Sequence, residues 1–174
     1  MIRELMKWLA FAGVALVLSG CGFTPLYGAR DGGTRTNAEL QQISVATIEN
    51  GRTGHDVYNA LIDGISPHGE PDAPDYELRV RLTEASEGVA IERDASITRY
   101  NFRLDARFRL VDIRSGNVIY EGRSRSIASY NVVESQFATL VAQRDAEERA
   151  ATELSEDIKL RLAIFFDRQF NSGS

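Results

Sequence analysis

Few residues in this chain could do chemistry, and one of them stands apart by position. Cys21, the sole cysteine, follows directly on Leu18-Ser19-Gly20 and an eleven-residue apolar run, Trp8 to Leu18, which Arg3 and Lys7 precede. A charged opening, a short apolar stretch and small residues before a cysteine together read as a bacterial lipoprotein signal, so residues 1–20 are expected to be removed and Cys21 to become the first residue of the mature protein. The run is too short for a spanning helix, which needs about 20 apolar residues. The chemistry expected at Cys21 is therefore acylation: an S-diacylglycerol thioether and an N-acyl amide that leave no free thiol. At about 0.8 kcal/mol per buried methylene, such chains hold a protein on a bilayer essentially permanently. Gly22 stands where an acidic residue would favour retention at an inner membrane, so an outer-membrane, periplasm-facing position is expected. With no second cysteine there is no disulfide to form in that compartment.

Nucleophiles, acids and metal ligands are scarce elsewhere. The chain has two histidines; His55 reads as a capping or surface residue at a helix start, and His68 lies in a proline-rich loop. No Gly-x-Ser-x-Gly, phosphate-binding glycine loop or HExxH spacing occurs. Glu147-Glu148 and Glu153-x-x-Glu156-Asp157 read as the wet face of a helix. An enzyme is not expected, nor a metal, nor any cofactor beyond the lipid on Cys21.

Arginine is the chemistry that remains. Beyond residue 20 there are 17 Arg and one Lys, and 18 basic residues against 24 acidic give a formal charge of −6. That balance, in an exported chain, speaks against nucleic-acid binding. Arg79, Arg81, Arg103, Arg107, Arg109, Arg123 and Arg125 fall on one side of three alternating stretches, with Glu77, Asp105 and Glu121 as nearby counter-charges. A guanidinium fork grips phosphates and carboxylates bidentately. An anion-recognising or partner-docking face and a solvated face laced with weak ion pairs are both open on this pattern.

The elements that must position these arginines are legible as periodicities. Residues 21–38 read as lipidated cysteine and tether, with four Gly, a Pro and several hydroxyl or amide side chains between Gly22 and Asn37. A single domain is expected over 39–170. Ile43 to Ile48 reads as a short, well-covered strand. From Thr53 to Ile65 the period changes to helical, with Gly54, Val57, Tyr58, Leu61, Ile62 and Ile65 on one face and Thr53-x-x-Asp56 resembling a capping box. Pro67, Gly69, Pro71 and Pro74 break the chain. Tyr76, Leu78, Val80 and Leu82 alternate with polar residues as a half-buried strand. Every even residue from Tyr100 to Leu110 is apolar, and after the turn Arg114-Ser115-Gly116-Asn117 a fourth strand runs from Val118 to Tyr130. Glu84 to Ser96 fits a loop or a hairpin extension equally. A final helix begins between Ser135 and Ala142 and runs to about Phe166, with Ala146, Ala150, Ala151, Leu154, Ile158, Leu162 and Phe165 as its apolar stripe. Its clear part, about 35 Å long, can lie along the whole sheet. The expected fold is α+β, a two-layer sandwich of two helices packed on one face of a four-stranded, mostly antiparallel sheet, with the arginines on the other face.

Cys21-Gly22-Phe23-Thr24-Pro25-Leu26-Tyr27-Gly28, together with Phe137-Ala138-Thr139-Leu140-Val141-Ala142-Gln143-Arg144-Asp145-Ala146 entering a helix that ends Leu160-Arg161-Leu162, resembles the lipopolysaccharide-assembly lipoproteins (LptE) of the Gram-negative outer membrane, in their alphaproteobacterial form. The resemblance extends over the mature chain. It implies a two-helix, four-stranded sandwich and a non-enzymatic lipoprotein that plugs a large outer-membrane β-barrel, LptD, and helps deliver lipopolysaccharide to the outer leaflet. The Arg-rich face suits phosphates and acidic sugars, and the barrel lumen is polar. Arg93 and Arg99, beside the connection between the second and third strands, are added as candidates for the same contacts. An alternative is an auxiliary lipoprotein of a phospholipid-transporting envelope complex, which would need an exposed apolar groove.

Overall fold

The computed structural model describes residues 31–67, 69–91 and 97–172. In chain order these form α1 (Asp31–Leu40), β1 (Ile43–Val45), α2 (Gly51–Ile65), β2 (Tyr76–Ile91), β3 (Ile97–Asp112), β4 (Val118–Asn131) and α3 (Gln136–Ser172). The sheet order is β1-β2-β3-β4, with β1 parallel to β2 and the other pairs antiparallel. The helices pack on one face of this mixed sheet, α3 against β3 and β4, α2 against α3 and β1, and α1 against α3. The expected two-layer α+β arrangement is present.

Period-two alternation decides which side of the sheet is covered. Leu78, Leu82, Phe102, Leu104, Ala106, Phe108, Leu110 and Ala128 point to the helices and are buried. Against them lies the α3 stripe of Ala146, Ala150, Ala151, Leu154, Ile158, Leu162, Ala163 and Phe166. Phe166 is the buried ring at its end; Phe165 is only partly buried, stacked on Tyr120 at 4.8 Å. Strand β4 carries small residues on this side, and α3 reaches them through hydrogen bonds: Ser124 Oγ donates to Asp157 Oδ2 at 2.6 Å and Ser126 Oγ to Glu153 Oε2 at 2.7 Å. Glu153 and Asp157 therefore face β4 and do not belong to a purely wet helix face.

Two local expectations change, and an open one is decided as far as Ile91. Residues Asp31 to Leu40, of which 31–38 are expected to belong to the tether, are helical, and Thr36 and Leu40 in this segment are buried. The described residues thus carry three helices where two were expected. Thr53 does not cap α2: the helix begins at Gly51, its flanking residue Asn50 makes no side-chain cap bond, and Thr53 Oγ1 donates to Glu84 Oε2 at 3.0 Å. Helical Gly54 sits so close to the preceding chain that a Cβ there would lie 2.6 Å from the Ile48 carbonyl oxygen. The open segment after Glu84 is a hairpin extension, since β2 continues to Ile91 and pairs with β3 through Gly88↔Tyr100, with register shifts beyond that pair.

Candidate anion-binding face

The uncovered face of the sheet is built in cross-strand rows, because paired residues of antiparallel strands project to the same side. Arg79, Arg109 and Glu121 form one row; Arg81, Arg107 and Arg123 form the next; Thr83, Asp105 and Arg125 follow, and then Ala85, Arg103 and Ile127. All seven arginines read from the sequence as facing outward share this face. Arg99 lies further along the same side, opposite Asn131, whose Oδ1 accepts its Nε–H at 3.1 Å. Arg93 and Cys21 lie outside the described residues.

Most of these charges are partnered. Arg79 pairs with Glu77, Arg109 with Glu121 at 2.8 Å, and Arg125 with Asp105 at 2.6 Å. Arg103 contacts Glu87 at 3.0 Å and Asp105 at 3.3 Å. Glu87 was not among the expected counter-charges, because it belongs to the stretch whose pairing the periodicity leaves open. Exposed pairs of this kind stabilise the fold by about 0–1 kcal/mol each.

The exception is the middle row. Arg81, Arg107 and Arg123 are exposed, lie side by side on three neighbouring strands, and have no carboxylate partner among the described residues. Like charges directly opposite on a sheet are destabilising by up to about 1 kcal/mol per pair. A depression of about 790 Å³ opens over this row, lined by Arg81, Arg107, Arg123 and Arg125, and continues past β4 to Asp157 and Arg161 on α3. Burial alone would raise the Asp157 carboxyl, but hydrogen bonds from Arg161 and Ser124 outweigh it and hold the group below the usual carboxylate range. Asp157 therefore stays ionised and committed to Arg161, at 2.7 Å, leaving the Arg row uncompensated from that side.

A second depression, of about 390 Å³, lies between the start of α2 and β2, lined by Asn50, Thr53, Glu84, Phe102, Gln143 and Glu147. Its carboxylates are engaged, Glu84 by Thr53 and Glu147 by Gln143 at 2.8 Å. Neither depression is the apolar groove that binding acyl chains would require. Among the described residues, no three His, Asp or Glu side chains lie close enough to hold a metal ion, and no helix is long and apolar enough to cross a membrane. His55 is exposed on α2.

Residues 40–162 match the family model for lipopolysaccharide assembly, LptE. The chain is 25% identical over 166 residues to an uncharacterized protein of Rickettsia prowazekii, RP188, covering 94% of this chain and all of that one. Among solved structures, a protein of Caulobacter crescentus described as a lipoprotein superposes with a TM-score of 0.64 at 23% identity, over 76% of this chain and 96% of that chain. A minor lipoprotein of Acinetobacter baumannii gives 0.55 at 17% identity, over 70% and 90% respectively. These two structures share the fold.

Proposed function

Because the chain belongs to the LptE lipopolysaccharide-assembly family, we propose that it is the non-enzymatic plug and assembly partner of an LptD-type β-barrel, lipid-anchored through Cys21 to the outer membrane and facing the periplasm, and that it helps insert lipopolysaccharide into the outer leaflet. The observation that carries this reading is the uncompensated row Arg81–Arg107–Arg123. Three adjacent guanidiniums weaken the fold through their own repulsion and strengthen it when a polyanion supplies the missing charge. Lipopolysaccharide, with phosphates and acidic sugars, is such a polyanion. The protein's role is binding and occlusion, without bond-breaking.

The test is affinity purification of the tagged mature lipoprotein from solubilised outer membranes. A large β-barrel is expected in stoichiometric amount. Recovery of an inner-membrane permease or a periplasmic lipid-binding subunit without a barrel would refute the reading. Replacing Arg81 and Arg107 together by Glu is expected to lower retention on immobilised lipopolysaccharide at least tenfold while the melting temperature holds. Intact mass of the purified protein reads the acylation of Cys21 directly.

A further inference from the structure

The sheet has two edges, and they are treated differently. At one, β1 is three residues long, and the Val45 N–H is taken by the Glu70 carboxylate at 3.2 Å. At the other, β4 runs for 14 residues with β3 on one side and, among the described residues, no strand on its outer side. Outside the β3 pairing, its backbone has one described hydrogen-bond partner, Arg149 Nη2, which donates to the Ser129 carbonyl at 3.2 Å. Proteins usually blunt a long edge with proline, shortness, charged side chains or a covering segment, and of these β4 carries charge, in Glu121, Arg123 and Arg125. Strand β4 contains no proline, and from Glu121 to Ala128 it offers about 27 Å of edge at 3.4 Å per residue.

Charge decides what can pair there. Arg123 and Arg125 sit mid-strand on the open face. A second copy of this chain, paired antiparallel about the middle of β4, would set its own Arg123 and Arg125 against these, which is unfavourable. An incoming strand with Asp or Glu at alternate positions would instead add a carboxylate to the row Arg81–Arg107–Arg123. The two neighbouring rows already hold theirs, in Glu121 and Asp105. On the helix side of β4 the side chains are small, Gly122, Ser124 and Ser126, and the depression over the Arg row passes across the strand to Asp157 and Arg161. There is room for an added strand between the two charged flanks.

We propose that the β4 edge accepts, by strand addition, an extended segment of another protein that carries Asp or Glu at alternate positions, making the sheet five-stranded. This goes beyond the polyanion reading of the Arg face and holds whichever envelope protein supplies the segment. Backbone bonds provide the affinity, and Arg123 sets the register and excludes self-pairing.

The test uses the full-length lipoprotein in intact cells, with a photoreactive residue placed in turn at Arg125, Ile127 and Ser129, and at Glu148 on α3 as an off-edge control. The expected result is adducts at the three strand positions to one contiguous acidic segment, the linked residue moving by two as the probe moves by two, and none at the control. Arg123→Glu is expected to lower the yield at Ile127 at least tenfold and Arg123→Lys less than twofold, with melting temperatures unchanged. Adducts to a second copy, to glycolipid only or to scattered residues, no adduct, or indifference to Arg123→Glu would each overturn the proposal. Co-purification of the barrel is read independently, so either idea can fail alone.

Discussion

Gly122 is the position where the sheet and its core can be tested most sharply. It lies opposite Phe108 on the helix-facing side, and an added Cβ would stand 2.3, 2.8 and 2.9 Å from three carbons of that ring. Ordinary contact begins at 3.4 Å, so the nearest carbon would have to retreat by about 1.1 Å. Phe108 is 1% exposed and its ring lies 5.9 Å from that of Tyr120, so it cannot retreat into solvent. Overpacking in such a site costs about 1–3 kcal/mol. For a domain of this size, that corresponds to a fall in melting temperature of roughly 2–12 °C. Gly122→Ala is therefore expected to destabilise although alanine is normally the better strand residue. Phe108→Leu alone leaves a cavity; combined with Gly122→Ala, the new methyl fills part of it, so the double variant should be at least about 1 kcal/mol more stable than the sum of the singles. Urea titrations of the four proteins measure this. A Gly122→Ala variant that unfolds with its parent, or a strictly additive cycle, would refute the packing account of this glycine.

Leu154 is fully buried in the α3 stripe; Leu154→Asp places an unpaired charge in the core, and loss of cooperative thermal unfolding is expected by circular dichroism. The Tyr76 phenol is pushed up to about 12 by burial, then by the nearby Glu39 carboxylate. A group whose folded value is raised adds stability that is present below its unfolded value, about 10, and is lost as pH rises toward 12. The parent should thus lose more stability than Tyr76→Phe between about pH 9 and pH 11, and parallel losses in urea midpoint would contradict that placement of Tyr76.

The long elements were readable because burial imposes one period along each of them. Strand β3 alternates without a break from Tyr100 to Leu110, and the α3 stripe repeats at helical spacing for as long as it covers the sheet. Helix α1 was not readable: Asp31 to Leu40 contains two glycines and two threonines, a poor helix former held by tertiary contact through Thr36 and Leu40. The start of α2 was misplaced because a hydroxyl three residues before an acid looks like a cap whether or not it bonds to the backbone, and Thr53 bonds to Glu84. Beyond Glu84 the β2 side chains from Ala85 to Val89 are half-buried or exposed on both faces, so no contrast marks the strand. For the candidate site, the side on which each arginine lies follows from single strands, but the rows depend on register between strands. Only that register separates Arg107, which has no carboxylate partner among the described residues, from Arg103, which has two, and it is also what brings Glu87 to Arg103.

The docking of α1 also sets how far the domain can travel. If Cys21 is held in a bilayer, the chain from there to Asp31 spans at most about 35 Å when fully extended. A tether reaching to residue 38 would allow about 60 Å. By folding residues 31–38 onto α3, an anchored chain would keep Asp31 within about 35 Å of the membrane, so the sheet would have to find its partners in a shallow layer beside that surface.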